Sequence, residues 1–156
     1  MGEQLILWTI RLCLIAWALS AVAFLRGSSA RAVRWWAGAG LLYLAHIAAA
    51  FAFRYHWSHA AAVAETARQT RALFGIDWGG GVWCNYALGA LWTADLAWRR
   101  LGEPPRARTA AVQAYFVFLA VNGAIVFAAG PVRWISAAAL LALAVSAARS
   151  KRLCRR

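Results

Sequence analysis

The chain has 156 residues, of which 63% are hydrophobic and 14% are charged, and its formal net charge is +12. A soluble domain carries about 25% charged residues and at most about 50% apolar ones, so this composition excludes an ordinary soluble protein and indicates a membrane protein. The excess of positive charge is also typical of nucleic-acid binding, but here the basic residues form short clusters between long apolar runs, which argues against nucleic acid as a partner.

Five apolar stretches are long enough to cross a bilayer, which takes about 17–25 mostly apolar residues. They are Leu5–Leu25, Trp36–Phe53, Val82–Trp98, Ala110–Ala129 and Val132–Ala148. Only Gly130 and Pro131 separate the last two, which predicts a tight turn and a helical hairpin. The sequence therefore predicts a single membrane domain over residues 1–156, an all-α bundle of five transmembrane helices.

The connectors between these spans predict an orientation. Twelve of the 17 basic residues lie in the first connector, the third connector and the C-terminal tail, which share one side if five spans alternate. The positive-inside rule makes that side cytoplasmic, with the N-terminus outside and the C-terminus inside, and such clusters also bind anionic lipid. A cleaved signal peptide is an alternative, because Ser20–Ala23 reads SAVA after an apolar run. Against it, the first ten residues contain Glu3 and no basic residue, whereas a signal peptide begins with positive charge.

Tryptophans are predicted at both ends of the spans, as in the aromatic belts of membrane proteins. Inner ends carry Trp35, Trp36 and Trp98, and outer ends carry Trp57, Trp78, Trp83 and Trp134. Two further tryptophans, Trp17 and Trp92, lie deeper and are predicted to pack between helices.

An additional helix is predicted between spans two and three, outside the bilayer core. Ser58 is a good N-cap, Gly75 is a good C-terminal stop, and the Ala-rich segment between them favours a helix over His59–Phe74. This extra-cytoplasmic helix is predicted to be amphipathic and to rest on the ends of the spans. At 100° per residue, one stripe holds His59, Val63, Thr66, Thr70, Leu73 and Phe74, and His56 joins it if the preceding turn is also helical.

Two histidines of this segment raise the possibility of a metal site. His56 and His59 are spaced i, i+3 and so could share an ion, while Glu65 points away from them on the helix. A third ligand would have to come from another segment, and His46 in span two is the remaining histidine. The alternative is that these imidazoles only cap or hydrogen-bond interfacial groups.

Polar residues inside the spans predict a pocket that opens outward. Ionisable groups are costly in lipid, so their positions are informative. The outer halves of four spans contain Arg11, His46, Asn85 and Asn122. With Thr66 and Thr70 above them, and with Asp77 in a glycine-rich connector that permits close backbone approach, these residues form the predicted ligand site. Snorkelling of Arg11 and simple interhelical bonds of the two asparagines remain open.

Near the predicted inner end of span three, Asp95 and Arg99 are spaced i, i+4 and predict an ordinary ion pair. Cys13, Cys84 and Cys154 show no pairing pattern, so no disulfide framework is expected.

The middle third of the chain resembles a family of small bacterial multi-span inner-membrane proteins. The resemblance lies in HWSHAAA, ETARQT, DWGGG and NYALGALWTADLAW between Tyr55 and Trp98. That family has no assigned activity, so the resemblance implies a bacterial inner-membrane location and no catalytic residues.

Three functions follow as hypotheses. The first in rank is an accessory or assembly component of a membrane complex, with membrane-protein partners or further copies of the chain. The second is an outward-facing metal, haem or small-ligand site built from His46, His56 and His59. The third is a small transporter, which the lack of a clear internal repeat disfavours. Enzymatic activity is least supported, because the chain carries no nucleophile elbow, P-loop or H-E-x-x-H motif.

Overall fold

The computed structural model describes residues 1–127 together with residues 133–134, 136–138, 140–142 and 145. Every regular element in these ranges is helical. In chain order they are α1 (Gly2–Leu25), α2 (Ser29–Phe53), α3 (His59–Phe74), α4 (Gly81–Leu101), α5 (Arg106–Val121) and a π-helix (Asn122–Val126).

Three of these helical stretches are long and apolar enough to cross a membrane: Gly2–Leu25, Ser29–Phe53 and Ala107–Val126. They contain the first, second and most of the fourth predicted spans. The third predicted span lies inside α4, which has 21 residues but is more polar than these three. Most of Val132–Ala148, the turn at Gly130 and Pro131, and the basic tail with Cys154 lie outside the described residues.

Helices α1 and α2 form an antiparallel hairpin around a short turn at Gly27, whose φ of 73° suits glycine. Ser20 of α1 donates a hydrogen bond to the carbonyl oxygen of Ala32 in α2, at 2.8 Å. Near the other end, Nδ1 of His46 lies 3.0 Å from the carbonyl oxygen of Ile6. The two helices are therefore joined by polar bonds at both ends of an otherwise apolar contact.

Aromatic rings fill the core between α1, α2, α4 and α5. Trp36 and Trp92 stack with ring centroids 4.2 Å apart, and the edge of Phe116 meets Trp92 at 5.0 Å. Trp17 packs on Phe116 at 5.1 Å and donates its indole N–H to Gln113, at 2.9 Å. The prediction that Trp17 and Trp92 pack between helices is confirmed. The interfacial position predicted for Trp36 is wrong, because its side chain is only 3% exposed.

The predicted helix over His59–Phe74 is confirmed, including both of its ends. The hydroxyl oxygen of Ser58 accepts a bond from the backbone N–H of Ala61 at 3.1 Å, and Gly75 ends the helix at φ 72°. Thr70 of the predicted stripe is buried, as is Ala62 beside the stripe, whereas His59 at its start is exposed. Leu73 and Phe74 are about half exposed, at 48% and 56%, so the stripe does not continue to the end of α3.

The glycine-rich connector lets α3 approach the start of α4 closely. A Cβ at Gly79 would lie 2.6 Å from the carbonyl oxygen of Val63, and one at Gly81 would lie 3.0 Å from Thr66. Since no larger residue fits at Gly79 without a shift, the predicted close backbone approach is confirmed.

A π-helix interrupts the fourth predicted span at Asn122. Such a turn changes the backbone hydrogen-bond pattern, and π-turns are frequent at functional sites. Arg133 bonds to the end of this turn, with Nε donating to the carbonyl oxygen of Ile125 at 2.8 Å and Nη2 donating to that of Val126 at 3.1 Å. The guanidinium therefore satisfies two carbonyls near a helix C-terminus, where positive charge is favourable.

Candidate functional site

Two of the three histidines predicted as ligands, His46 and His59, bond to groups on different helices. His46 is half-buried on α2 and faces α1, where its Nδ1 lies 3.0 Å from the Ile6 carbonyl oxygen and 3.5 Å from the Thr9 hydroxyl. His59 is exposed at the start of α3, and its Nδ1 lies 3.0 Å from the hydroxyl of Tyr86 on α4. His46 therefore joins α2 to α1, and His59 joins α3 to α4.

His56 does not share the helical stripe of His59, so that part of the prediction is wrong. Helix α2 ends at Phe53, and the connector that follows holds His56 at φ 48° and Trp57 at φ 60° before α3 begins. Left-handed residues break a helix, so the i, i+3 spacing of the two imidazoles carries no geometric meaning. Among the described residues, no group of three His, Cys, Asp or Glu side chains could hold a metal ion.

The other residues of the predicted pocket have partners close to them in the chain. Arg11 is exposed, with its guanidinium 5.4 Å from the ring centroid of Trp8. Asp77 forms an ion pair with Arg71 and does not cap α4. The remaining side chains each bond to a carbonyl oxygen one turn earlier in their own helix: Thr66 to Ala62, Thr70 to Thr66, Asn85 to Gly81 and Asn122 to Phe118. Asn85 also makes the interhelical bond expected as an alternative, because its Oδ1 accepts from the hydroxyl of Tyr43 on α2 at 3.1 Å.

A different polar cluster lies where α2, α4 and α5 meet. Asp95 has no exposed surface, and its Oδ2 accepts bonds from Nε1 of Trp36 at 2.9 Å and from Nε of Arg99 at 2.7 Å. Nη2 of Arg99 continues to the hydroxyl of Thr109 on α5, at 3.3 Å. One buried carboxylate therefore links three helices through charged and neutral donors. We call Trp36, Trp92, Asp95, Arg99 and Thr109 the Asp95 cluster.

Two buried polar atoms of the Asp95 cluster have no hydrogen-bond partner within the described part of the chain. They are Oδ1 of Asp95 and Nε1 of Trp92. The indole of Trp92 is held between Trp36 and the backbone of α2, where a Cβ at Gly40 would lie 2.8 Å from its Nε1. Gly40 is thus the residue that allows α2 and α4 to approach each other over the stacked rings.

The sequence predicted the Asp95–Arg99 pair of this cluster and the packing of Trp92 between helices, but not the bonds to Trp36 and Thr109. A signal for the rest was present, because Trp92, Asp95 and Arg99 are spaced i, i+3 and i+7 and so share one helix face. An acid between a large aromatic residue and a base on a buried face predicts a donor from a neighbouring helix. Assigning Trp36 to the aromatic belt removed the donor that the structure places there.

A second ionic group lies on α3 and at the end of α2. The carboxylate of Glu65, whose side chain is 19% exposed, accepts bonds from Nε and Nη2 of Arg68 at 2.7–2.9 Å and from Gln69 at 2.8 Å. Arg54 approaches the same carboxylate at 3.7 Å. Hydrogen bonds from Arg68 are the main cause that holds the pKa of Glu65 below its ordinary value.

The stability of α3 is expected to fall on acidification. A carboxylate with a lowered folded-state pKa stabilises the fold above its unfolded pKa of about 4.3, and this contribution is lost as the pH falls through the folded pKa. Hydrogen exchange of α3 amides should therefore accelerate between about pH 5 and about pH 3, after correction for the intrinsic pH dependence of exchange. Glu65→Gln should flatten this response, whereas Glu103→Gln, at an exposed acid in the connector after α4, should leave it intact. An equal response in all three proteins would contradict the assignment.

Within the residues that the structure describes, the protein is all-helical, and three of its helical stretches are long and apolar enough to cross a membrane. Comparison with protein families, with curated proteins and with solved structures finds no match for this chain. The resemblance to small bacterial inner-membrane proteins therefore stays a prediction.

Proposed function

We propose that the chain is an accessory or assembly component of a membrane complex, which binds a transmembrane helix of a partner in an apolar groove between α2 and α4. The observation that carries the proposal is this groove, which has a volume of about 580 Å³. Its lining residues are Leu44 and Ile47 from α2 and Tyr86, Gly89, Ala90, Thr93, Ala94 and Ala97 from α4.

We also propose that α4 crosses the membrane, which places the groove inside the bilayer. A helix of 21 residues is about 32 Å long, which matches the bilayer core of about 30 Å. The most polar part of α4 is directed inward, because Asp95 is fully buried and paired with Arg99. We further propose a bacterial inner-membrane protein with five spans, with the N-terminus and α3 outside and with the arginine-rich connectors in the cytoplasm beside anionic lipid.

The floor of the groove suits a helix partner. Gly89, Thr93 and Ala97 repeat every four residues on α4, as do Ala90 and Ala94 beside them. Small residues at this spacing let two helix backbones approach closely, and van der Waals packing drives association in lipid. Thr93 donates its hydroxyl to the Gly89 carbonyl oxygen at 2.8 Å, so it does not present an unsatisfied donor to the partner.

This function has more support than the two alternatives. A metal or haem site built from His46, His56 and His59 would need their imidazoles to meet, but His46 bonds to α1 and His59 bonds to α4. A transporter would need a polar path, yet the predicted pocket residues bond mainly within their own helices. The groove, in contrast, has a mainly apolar lining, as a partner helix in lipid requires.

Filling the groove is expected to release the partner. In the variant Ala90→Leu with Ala94→Leu, two larger side chains occupy the floor that the partner helix would contact. We expect the wild-type protein, purified from its native membranes in mild detergent, to retain a membrane subunit or a second copy of itself. The groove variant should retain roughly tenfold less, since each lost close contact costs on the order of 1 kcal/mol.

The matched control is Ala114→Leu, the same change at an exposed alanine of α5 outside the groove. It should leave the retained subunit unchanged. The proposal fails if the wild-type protein retains no subunit and no second copy, or if the groove variant and the Ala114 variant retain equal amounts.

A further inference from the structure

A polar cleft lies beside the end of α2, away from the groove between α2 and α4. It has a volume of about 310 Å³ and is lined by Arg54, Tyr55, Ala61, Glu65 and Arg68. We call it the Arg54 cleft. A cleft of this size is near the lower limit of ligand pockets, which favours a small polar ligand.

The charges of the Arg54 cleft favour an anion. Among the lining side chains, two guanidinium groups and one carboxylate leave a net charge of +1, since Arg54 and Arg68 outweigh Glu65. The carboxylate of Glu3 on α1 lies outside the lining but also acts on Tyr55. Glu65 is already satisfied by Arg68 and Gln69 through bonds of 2.7–2.9 Å. Arg54 adds only an ion pair at 3.7 Å, which is longer than a hydrogen bond, and its side chain is 45% exposed.

Donors in the cleft therefore exceed acceptors. Among the described contacts, Arg54 directs none of its five N–H groups into a hydrogen bond, and the hydroxyl of Tyr55 has no recorded partner. Burial raises the pKa of Tyr55, so its hydroxyl stays protonated and can donate at neutral pH. Guanidinium groups and a neutral hydroxyl are the donors that bind the oxygen atoms of phosphate.

The position of the Arg54 cleft indicates where such a phosphate is found. The cleft begins at the residue after Phe53, where the apolar helix α2 ends. Phe53 is 51% exposed and Trp57 is 70% exposed, as expected for aromatic residues at the boundary between acyl chains and water. Phospholipid headgroups carry their phosphate at this boundary.

We propose that the Arg54 cleft binds the phosphate of a phospholipid headgroup, with Arg54 as the principal donor and with Arg68 and Tyr55 completing the site. This goes beyond the proposed function, because it assigns a lipid-binding site that shares no lining residue with the groove and does not require a partner subunit. The negative charge of Glu65 lowers the affinity of the site for an anion. The same carboxylate also bonds to Arg68 and so fixes the position of its guanidinium.

The test measures phosphatidylglycerol bound to the delipidated protein in a phosphate-free detergent, by titration followed by native mass spectrometry. Arg54→Gln should weaken binding about tenfold or more, because a charge-assisted bond to phosphate is lost. Glu65→Gln should strengthen binding, because it keeps the shape and removes the opposing charge. The matched control is Arg71→Gln, which removes an arginine of α3 that pairs with Asp77 outside the cleft and should leave binding unchanged.

Glycerol phosphate, which lacks acyl chains, distinguishes a lipid site from a general phosphate site. If glycerol phosphate displaces the lipid, the phosphate alone is recognised. If it does not, the acyl chains contribute to binding. Both results support a phosphate site, provided that Arg54→Gln weakens lipid binding. Equal binding by the Arg54 and Arg71 variants would overturn the proposal, as would weaker binding by Glu65→Gln. Circular dichroism of each variant should show unchanged helix content, and Arg54→Lys, which keeps the charge, should restore part of the binding.

Discussion

Replacing Asp95 with alanine is expected to destabilise the protein by about 3–5 kcal/mol, the cost of breaking a buried ion pair by removing one partner. The change leaves Nε of Arg99 and Nε1 of Trp36 without their shared acceptor, and the side chain of Arg99 is only 18% exposed. The measurement is unfolding by denaturant in detergent micelles, followed by the loss of helical circular dichroism.

Two further variants separate charge from hydrogen bonding at this position. Asp95→Asn keeps an oxygen that accepts from Trp36 but removes the charge that pairs with Arg99, so its cost should lie between those of wild type and Asp95→Ala. Asp95→Leu combined with Arg99→Leu removes both charges and should recover much of the loss, as apolar replacements of buried pairs do. The control is Arg100→Gln, at an exposed neighbour, which should change stability by at most about 0.5 kcal/mol. An Asp95→Ala cost within that range would contradict the structural role of the cluster.

Features that depend on local sequence could be predicted well. The helix over His59–Phe74 was predicted with its cap at Ser58 and its end at Gly75, because capping and the left-handed conformation are decided within a few residues. The apolar helices α1 and α2 were also expected, because hydropathy is local information. Helix α2 nevertheless begins at Ser29, seven residues before the predicted span, since a helix continues through its polar first turns outside the apolar core.

Two assumptions behind the predicted site do not hold in the structure. Continuing the helix backward to His56 ignored the connector, where two left-handed residues turn the chain. Side chains at the same depth in neighbouring spans need not meet, because depth says nothing about the direction in which a side chain points. Short polar side chains in apolar helices commonly bond the carbonyl oxygen one turn earlier, and Asn85 and Asn122 do so here.

The Asp95 cluster required knowledge of which helices meet. Trp36 and Asp95 are 59 positions apart, and nothing near Trp36 distinguishes a core indole from an interfacial one. The pairing becomes evident only when Gly40 brings α2 against Trp92. Long-range contacts between helices are therefore the part of the fold that this single sequence did not reveal.

The second large loss of stability is expected when one ring of the stacked pair, Trp36 and Trp92, is removed. Trp92→Ala should cost about 3–5 kcal/mol, because it leaves a cavity in the aromatic core at a side chain that is 1% exposed. Denaturant unfolding in micelles provides the measurement, with helical circular dichroism as the signal so that the loss of an indole fluorophore does not bias it. The exposed Trp83, at 61% exposure, supplies the control, and its change to alanine should cost at most about 0.5 kcal/mol.

Phenylalanine substitutions at the two stacked positions separate packing from hydrogen bonding. Both indoles are buried, and each phenylalanine variant keeps an aromatic ring at its position. Within the described part of the chain, the N–H of Trp36 has an acceptor, Oδ2 of Asp95, and the N–H of Trp92 has none. Trp36→Phe should therefore cost more than Trp92→Phe by about 1–3 kcal/mol, the cost of a buried charged group that loses a donor. Combining Asp95→Leu with each change should remove the difference, because the acceptor is then gone. A Trp92→Phe cost equal to or above that of Trp36→Phe would show that the carboxylate does not depend on the indole N–H, and that α2 and α4 are held together by ring packing alone.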